Sequence, residues 1–294
     1  MRRKENKGLV LKALGGFYYV QDSDSQKIYV CKLRGKIKQR ILCGDKVLYT
    51  PLDEENGILE EVLPRKNELI RPRVANISLL LIVMSQEEPR PDLNLLDRLL
   101  VLGSYHGLKT SIIINKNDLP TNDRVDIILD YYPRIGYQLI RTSTKKKVGL
   151  DQLRQHIQNE IAVMAGPSGV GKSSLLNELH QSCHAPIGEV SKKLGKGKHT
   201  TRHVELYPLA EGGWIVDSPG FSLLGLPPMK SSELRLHFAD FYPHAEECLF
   251  NDCLHHKERQ CGVKAAVERG DIFPLRYKHY LSMLEEVQEK ERTY

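Results

Sequence analysis

Ile161-Ala162-Val163-Met164-Ala165 runs directly into Gly166-Pro167-Ser168-Gly169-Val170-Gly171-Lys172-Ser173-Ser174. An apolar pentapeptide followed by G-x-x-x-x-G-K-S is a buried strand, a phosphate loop and the start of a helix, in the order that motif requires. The glycines let backbone N–H groups wrap phosphate oxygens at a helix N-terminus. Lys172 neutralises the outer phosphates, and the Ser173 hydroxyl can ligate Mg²⁺.

About 45 residues downstream, the strand Trp214-Ile215-Val216 leads to Asp217-Ser218-Pro219-Gly220. Alone this tetrapeptide reads as a turn. Behind a phosphate loop it reads as the γ-phosphate sensor, with Asp217 on the Mg²⁺ side and the Gly220 N–H as the sensing donor. Upstream, the apolar strand Ser111 to Ile114 ends in Asn115-Lys116-Asn117-Asp118. An Asp there can accept both the N1–H and the exocyclic amine of guanine, a pair that adenine does not offer. A second edge contact is expected from Thr142-Ser143-Thr144, after the next strand.

From about residue 70 to 228, buried strands alternate with amphipathic helices, the pattern of a parallel sheet with crossover helices. The predicted strands are Ile77 to Met84, Thr110 to Ile114, Tyr137 to Thr142, Ile161 to Ala165, Val204 to Leu209 and Trp214 to Val216. Asp92 caps a helix whose stripe of Leu93, Leu96, Leu99 and Leu100 reads as core packing. Before it, five short strands (Gly8 to Leu14, Gly16 to Gln21, Lys27 to Leu33, Asp45 to Thr50, Gly57 to Leu63) predict a small β-barrel. Basic and aromatic residues alternate there, as on an oligonucleotide-binding barrel or on an ordinary solvated face.

The motifs come in the order base, phosphate loop, sensor, whereas ordinary GTPases place the base motif last. In this the sequence resembles the RsgA (YjeQ) family of circularly permuted bacterial GTPases that act in late assembly of the small ribosomal subunit. The resemblance covers essentially the whole chain. It implies an OB-type RNA-binding barrel over residues 1–68, a circularly permuted P-loop GTPase domain over 69–228 and a zinc-binding helical domain over 229–294. In the permuted order the sensor leads almost directly into the C-terminal domain, so switch movement is expected to reposition that domain.

Gly195 to Thr201, GKGKHTT, resembles the family's switch segment. Thr201 is the favoured second Mg²⁺ ligand, with Thr200 as the other candidate. Phe221 stands after Gly220, where many GTPases place a water-orienting Gln, and it cannot orient water by hydrogen bonding. His199 is therefore assigned to help position the attacking water. The mobile composition of Lys192 to Lys198, KKLGKGK, predicts slow hydrolysis until a partner orders the segment, and small-subunit rRNA is the expected partner.

Cys248-x4-Cys253-x-His255-x5-Cys261, with His256 adjacent, supplies three thiolates and an imidazole, enough for a closed tetrahedral Zn²⁺ site. The spacing admits either His255 or His256, and the family pattern selects His255. The remaining cysteines are scattered, so a disulfide framework is not expected. Pro274 to Glu291 is predicted as a helix docked through Tyr277, Tyr280, Leu281, Leu284 and Val287.

Forty-three Lys and Arg against 37 Asp and Glu leave a net charge of +6, which suits a polyanionic partner without requiring one. The start MRRKENKG is not followed by an apolar stretch and no run is long enough to span a bilayer, so a cytoplasmic protein is expected, with nothing demanding more than a monomer. Two other classes fit less well. A phosphotransferase acting on a small molecule is disfavoured by NKND, and an RNA scaffold with a merely structural nucleotide site by the intact Lys172, Ser173 and Asp217.

Overall fold

The computed structural model describes residues 5–35, 37–70, 72–181, 204–221 and 225–293, which cluster into two compact units. One unit comprises Met1–Leu79, Leu150–Met164 and Lys172–Phe221; the other comprises Leu80–Gly149, Ala165–Gly171 and Ser222–Tyr294.

The first unit opens with β1 (Asn6–Leu14), β2 (Phe17–Asp22), β3 (Ile28–Leu33), β4 (Lys46–Pro51) and β5 (Asn56–Val62). They pair in the order β1-β2-β3-β5-β4, and β4 pairs back onto β1, so the sheet closes into a five-stranded barrel. Only the β3–β5 pair is parallel; the others are antiparallel. That is the Greek-key connectivity of an OB barrel. Val10, Val20, Cys31, Val47, Tyr49 and Leu59 fill its interior, while Lys32 lies over the exposed ring of Phe17 on the outside. A short ribbon of β6 (Glu68–Leu69) and β7 (Val74–Ala75) follows.

The same unit contains the helix α3 (Leu150–Ile157), β11 (Ile161–Ala165), the helix α4 (Lys172–Gln181), β12 (Glu205–Pro208) and β13 (Trp214–Phe221). The strand order β11-β13-β12-β1 carries these strands into the barrel, with Lys12 opposite Glu205 and their side chains paired at 2.9 Å. β13 extends past its predicted end: Asp217 pairs with Glu205 in the ladder, so Asp217 to Gly220 lie inside the strand and not beyond it. The ladder to β12 reaches as far as Asp217, and Ser218 to Gly220 continue the strand beyond that partner.

In the second unit the strand order is β10 (Gln138–Arg141), β9 (Lys109–Asn115), β8 (Leu79–Ser85), with β9 and β10 parallel. The helix α1 (Leu93–Tyr105) starts at Asp92, whose side chain accepts from the backbone N–H groups of Asn94 and Leu95 as predicted. The helix α2 (Asp123–Arg134) makes the crossover that a parallel pair needs. Val101 of α1 shares a core with Phe238, Phe241, Tyr280, Met283, Leu284 and Val287, so the helix Gly262–Arg269 and the C-terminal helix Pro274–Thr293 pack in one body with it.

A buried ionic cluster, which hydrophobic patterning does not reveal, joins these parts. Arg276, 1% exposed, donates to both oxygens of Asp240 at 2.8 Å and to Asp97. Tyr132 and Tyr131 donate to Asp97 and Asp240, each at 2.8 Å, and His279 Nδ1 lies 2.6 Å from Asp97. Burial works against the Arg276 charge, but the two carboxylates outweigh it and hold its pKa well above the ordinary value. Arg276→Met is expected to destabilise the second unit by about 3–5 kcal/mol, because two buried carboxylates lose their cation. Chemical denaturation checks this; a loss under about 1 kcal/mol would show that the aspartates find other partners.

Candidate nucleotide site and metal centre

The phosphate loop lies where β11 gives way to α4. Gly166 has φ +140°, and a Cβ there would fall 2.1 Å from the Val83 carbonyl oxygen; Gly171 has φ +95°, and its Cβ would meet Asn115 Nδ2 at 2.4 Å. Both positions therefore demand glycine for space as well as for backbone angle. Val170 is buried between them, whereas Ser168 and Gly169 are exposed at the crown and Pro167 is half-buried.

Asn115 ends β9, fully buried, and its Nδ2 donates 2.9 Å to the Val170 carbonyl of the phosphate loop. Its Oδ1 accepts from the buried Thr142 hydroxyl at 3.1 Å, and Asn117 N–H donates to the Thr142 carbonyl at 3.0 Å. Lys116 takes a left-handed conformation, φ +59°, and its ammonium donates to the Glu88 carbonyl. Ser143, also buried, donates 2.5 Å to Asp118 Oδ1. That hydrogen bond is the main reason the Asp118 carboxyl lies below the usual carboxylate range. A carboxylate oxygen accepts more than one hydrogen bond, so Ser143 holds Asp118 in place without exhausting it as an acceptor. The fold thus brings the two ends of the NKND segment, the Thr142-Ser143 pair and Val170 of the loop together inside the second unit.

α4 is anchored by Leu175 and Leu179, and its first turn leaves Ser173 and Ser174 exposed. Lys172 is half-buried, and burial pulls its pKa below that of a free lysine. An anion beside it would reverse that shift. Asp217 and Gly220 lie in the backbone of β13, while His199, Thr200 and Thr201 fall outside the described residues.

The cysteine cluster forms as a compact donor set. The ligand atoms of Cys248, Cys253, His255 and Cys261 all lie within 4.8 Å of one another. Cys248 and Cys261 sulfurs are 3.9 Å apart, and His255 Nδ1 is 3.6 Å and 3.4 Å from them. Zinc–sulfur bonds of about 2.3 Å in a tetrahedron put two sulfurs about 3.8 Å apart, so these side chains fit a zinc ion. His255 reaches the cluster through a left-handed backbone, φ +55°, and its carbonyl accepts from Tyr277 at 2.7 Å. His256 instead donates its backbone N–H to Glu258, which also caps the Leu254 N–H. Burial pushes the Cys253 thiol up to about 12 and the His255 imidazole down to about 4, so the imidazole is held neutral, as a metal ligand must be.

The sequence profile of the RsgA GTPase matches residues 62–227, and that of the RsgA N-terminal domain matches residues 7–59. The small ribosomal subunit biogenesis GTPase RsgA of Carboxydothermus hydrogenoformans is 43% identical over 290 residues, covering 97% of this chain and 99% of that protein. The crystal structure of YloQ, described as a circularly permuted GTPase, superposes with a TM-score of 0.83 at 38% identity, covering 98% of this chain and 96% of that one. YjeQ from Thermotoga maritima gives a TM-score of 0.83 at 34% identity, over 97% and 99% of the two chains. With both profiles in place and similarity along nearly the whole length, this chain belongs to the RsgA GTPase family and is a GTP hydrolase.

Proposed function

We propose that this GTPase acts in late maturation of the small ribosomal subunit and that its turnover is stimulated by that subunit. The observation that carries the nucleotide assignment is the Asn115 Nδ2 hydrogen bond to Val170, which joins the base motif to the phosphate loop despite their reversed order. In this reading Asn115, Lys116, Asn117, Asp118, Thr142 and Ser143 frame guanine, with Asp118 accepting from N1–H and the exocyclic amine. Gly166 to Ser174 wrap the phosphates through backbone N–H groups, and Lys172 places its charge on the outer oxygens. Ser173 and Thr201 would hold Mg²⁺, which would neutralise phosphate charge there.

Water attacks the γ-phosphorus: a P–O bond to water forms, the bond to the β-phosphate oxygen breaks, and GDP and phosphate leave with release of a proton. Lys172 and the loop N–H groups stabilise charge as that bond breaks, Asp217 and the Gly220 N–H stand on the γ-phosphate side, and His199 positions the water. The functional divisions are the RNA-binding barrel at 1–68, the GTPase domain at 69–228 and the zinc domain at 229–294. The barrel, with Phe17 and Lys32 exposed, and the zinc domain bind rRNA, and the protein works as a cytoplasmic monomer. Among the described residues no helix is long and apolar enough to cross a membrane.

Phosphate release with and without small subunits, using ATP as the control, tests the reading. Stimulation confined to GTP supports it, and subunit-independent turnover would remove the proposed partner. His199→Ala is expected to lower stimulated turnover by about 10²-fold, comparable to losing one transition-state hydrogen bond. Unchanged stimulated turnover would remove His199 from the water-positioning role.

A further inference from the structure

We infer that Gln86 is a positioning residue for base recognition, because its four hydrogen-bonding groups tie together the segments that frame the base-reading turn. The inference rests on the assignment of Asn115 to Asp118 as that turn.

β8 ends at Ser85, and the next residue is a glutamine only 3% exposed. Its backbone N–H donates to the Asn115 carbonyl at 2.9 Å, and its own carbonyl accepts from Asn122 Nδ2 at 2.5 Å. Its side-chain Nε2 donates to the Leu119 carbonyl, and its Oε1 accepts from the Arg141 guanidinium at 3.2 Å. Asn115 opens the NKND segment, Leu119 directly follows Asp118, Asn122 caps α2, and Arg141 directly precedes Thr142 and Ser143.

The turn is closed from within by Leu119 N–H donating 2.9 Å to the Lys116 carbonyl. Asn117 N–H donating to the Thr142 carbonyl and Ser143 donating to Asp118 hold its middle. Gln86 holds its two ends at Asn115 and Leu119, and through Arg141 it also holds the strand end that brings Ser143 to Asp118. The side chain must be both donor and acceptor at this length. Glutamate would turn an acceptor toward the Leu119 carbonyl, and methionine would leave Leu119 and Arg141 without their partner.

The test measures the affinities of GDP and IDP by calorimetry for the full-length protein and its Q86M, Q86E, R141M and D118A variants. The two nucleotides share their phosphates and ribose and differ only in the exocyclic amine of guanine, so their ratio reports base reading alone. Q86M and Q86E are expected to weaken GDP by about tenfold and to shrink the GDP-over-IDP preference, with kcat at saturating GTP unchanged. Arg141 is exposed, so R141M spares the core and is expected to shift the ratio the same way by a smaller factor. If Q86M fails to fold, Q86E and R141M carry the measurement.

A wild-type ratio in the Gln86 and Arg141 variants, or an equal loss for both nucleotides, overturns the inference if D118A loses the preference. A D118A protein that keeps its guanine preference overturns the base assignment itself.

Discussion

Lys172→Ala is expected to lower subunit-stimulated GTP turnover by about 10³-fold while leaving the fold intact. Lys172 is the first residue of α4, and its ammonium is half-buried with a pKa pulled down by desolvation. The protein therefore holds a charge under mild penalty where the phosphates are expected to arrive, and a bound triphosphate relieves that penalty. The loop N–H groups remain in the variant, so nucleotide binding should weaken less than turnover falls. The melt of the unliganded variant reports whether the fold survives, since alanine suits a helix. Phosphate release at saturating GTP and a thermal melt decide the matter. Turnover within tenfold of the parent would mean that the loop binds GTP without supplying the charge that hydrolysis needs.

Stripping the metal from the cysteine cluster, by a strong chelator or by Cys253→Ser, is expected to unfold the C-terminal part of the second unit. Cys253 and Cys261 belong to the same core as Phe238, Phe241, Tyr280 and Leu284, so the ligands are also packing residues. Without a cation, burial favours the protonated thiols of Cys253 and Cys261, which with Cys248 crowd one imidazole. Zinc binding displaces those protons and converts its own binding free energy, of order 10 kcal/mol in small zinc modules, into folding free energy. Acid works in the chelator's direction, because protons compete with the metal for sulfur. Hydrogen exchange should show protection lost over residues 225–293, with β9 and its neighbours less affected. A metal-free protein with unchanged exchange and melting would show that these four side chains are held by packing alone.

Much of the architecture was legible as pattern. The strand Ile161–Ala165 is observed at its predicted bounds, the barrel strands fall within two residues of theirs, and Asp92 caps α1. These features follow from short-range rules: the period of apolar residues, the hydroxyl and carboxylate chemistry of caps, and the angles that only glycine reaches easily. β13 was underestimated because Asp217 to Gly220 read locally as a turn, whereas Asp217 joins the ladder to β12 and the strand runs on to Phe221. Arg276 lies within the predicted terminal helix, whose apolar spacing does not single it out. Its partner Asp97 is 179 residues away, and no local pattern announces a charge buried by so distant a pair.

Sequence alone carries the proposed chemistry: a phosphate-loop motif, a guanine-type acceptor, a donor set for zinc, and their permuted order. Those assignments depend on residue type and near spacing, where sterics and valence act over a few bonds. Tertiary structure decided which groups meet. It chose His255 over its neighbour for the metal cluster, brought Asn115 to the Val170 carbonyl, buried Arg276 between two aspartates, and set Gln86 among four partners. Each of those outcomes depends on burial, since a hydrogen bond or ion pair must be completed once water is excluded, and only the folded chain determines where water is excluded.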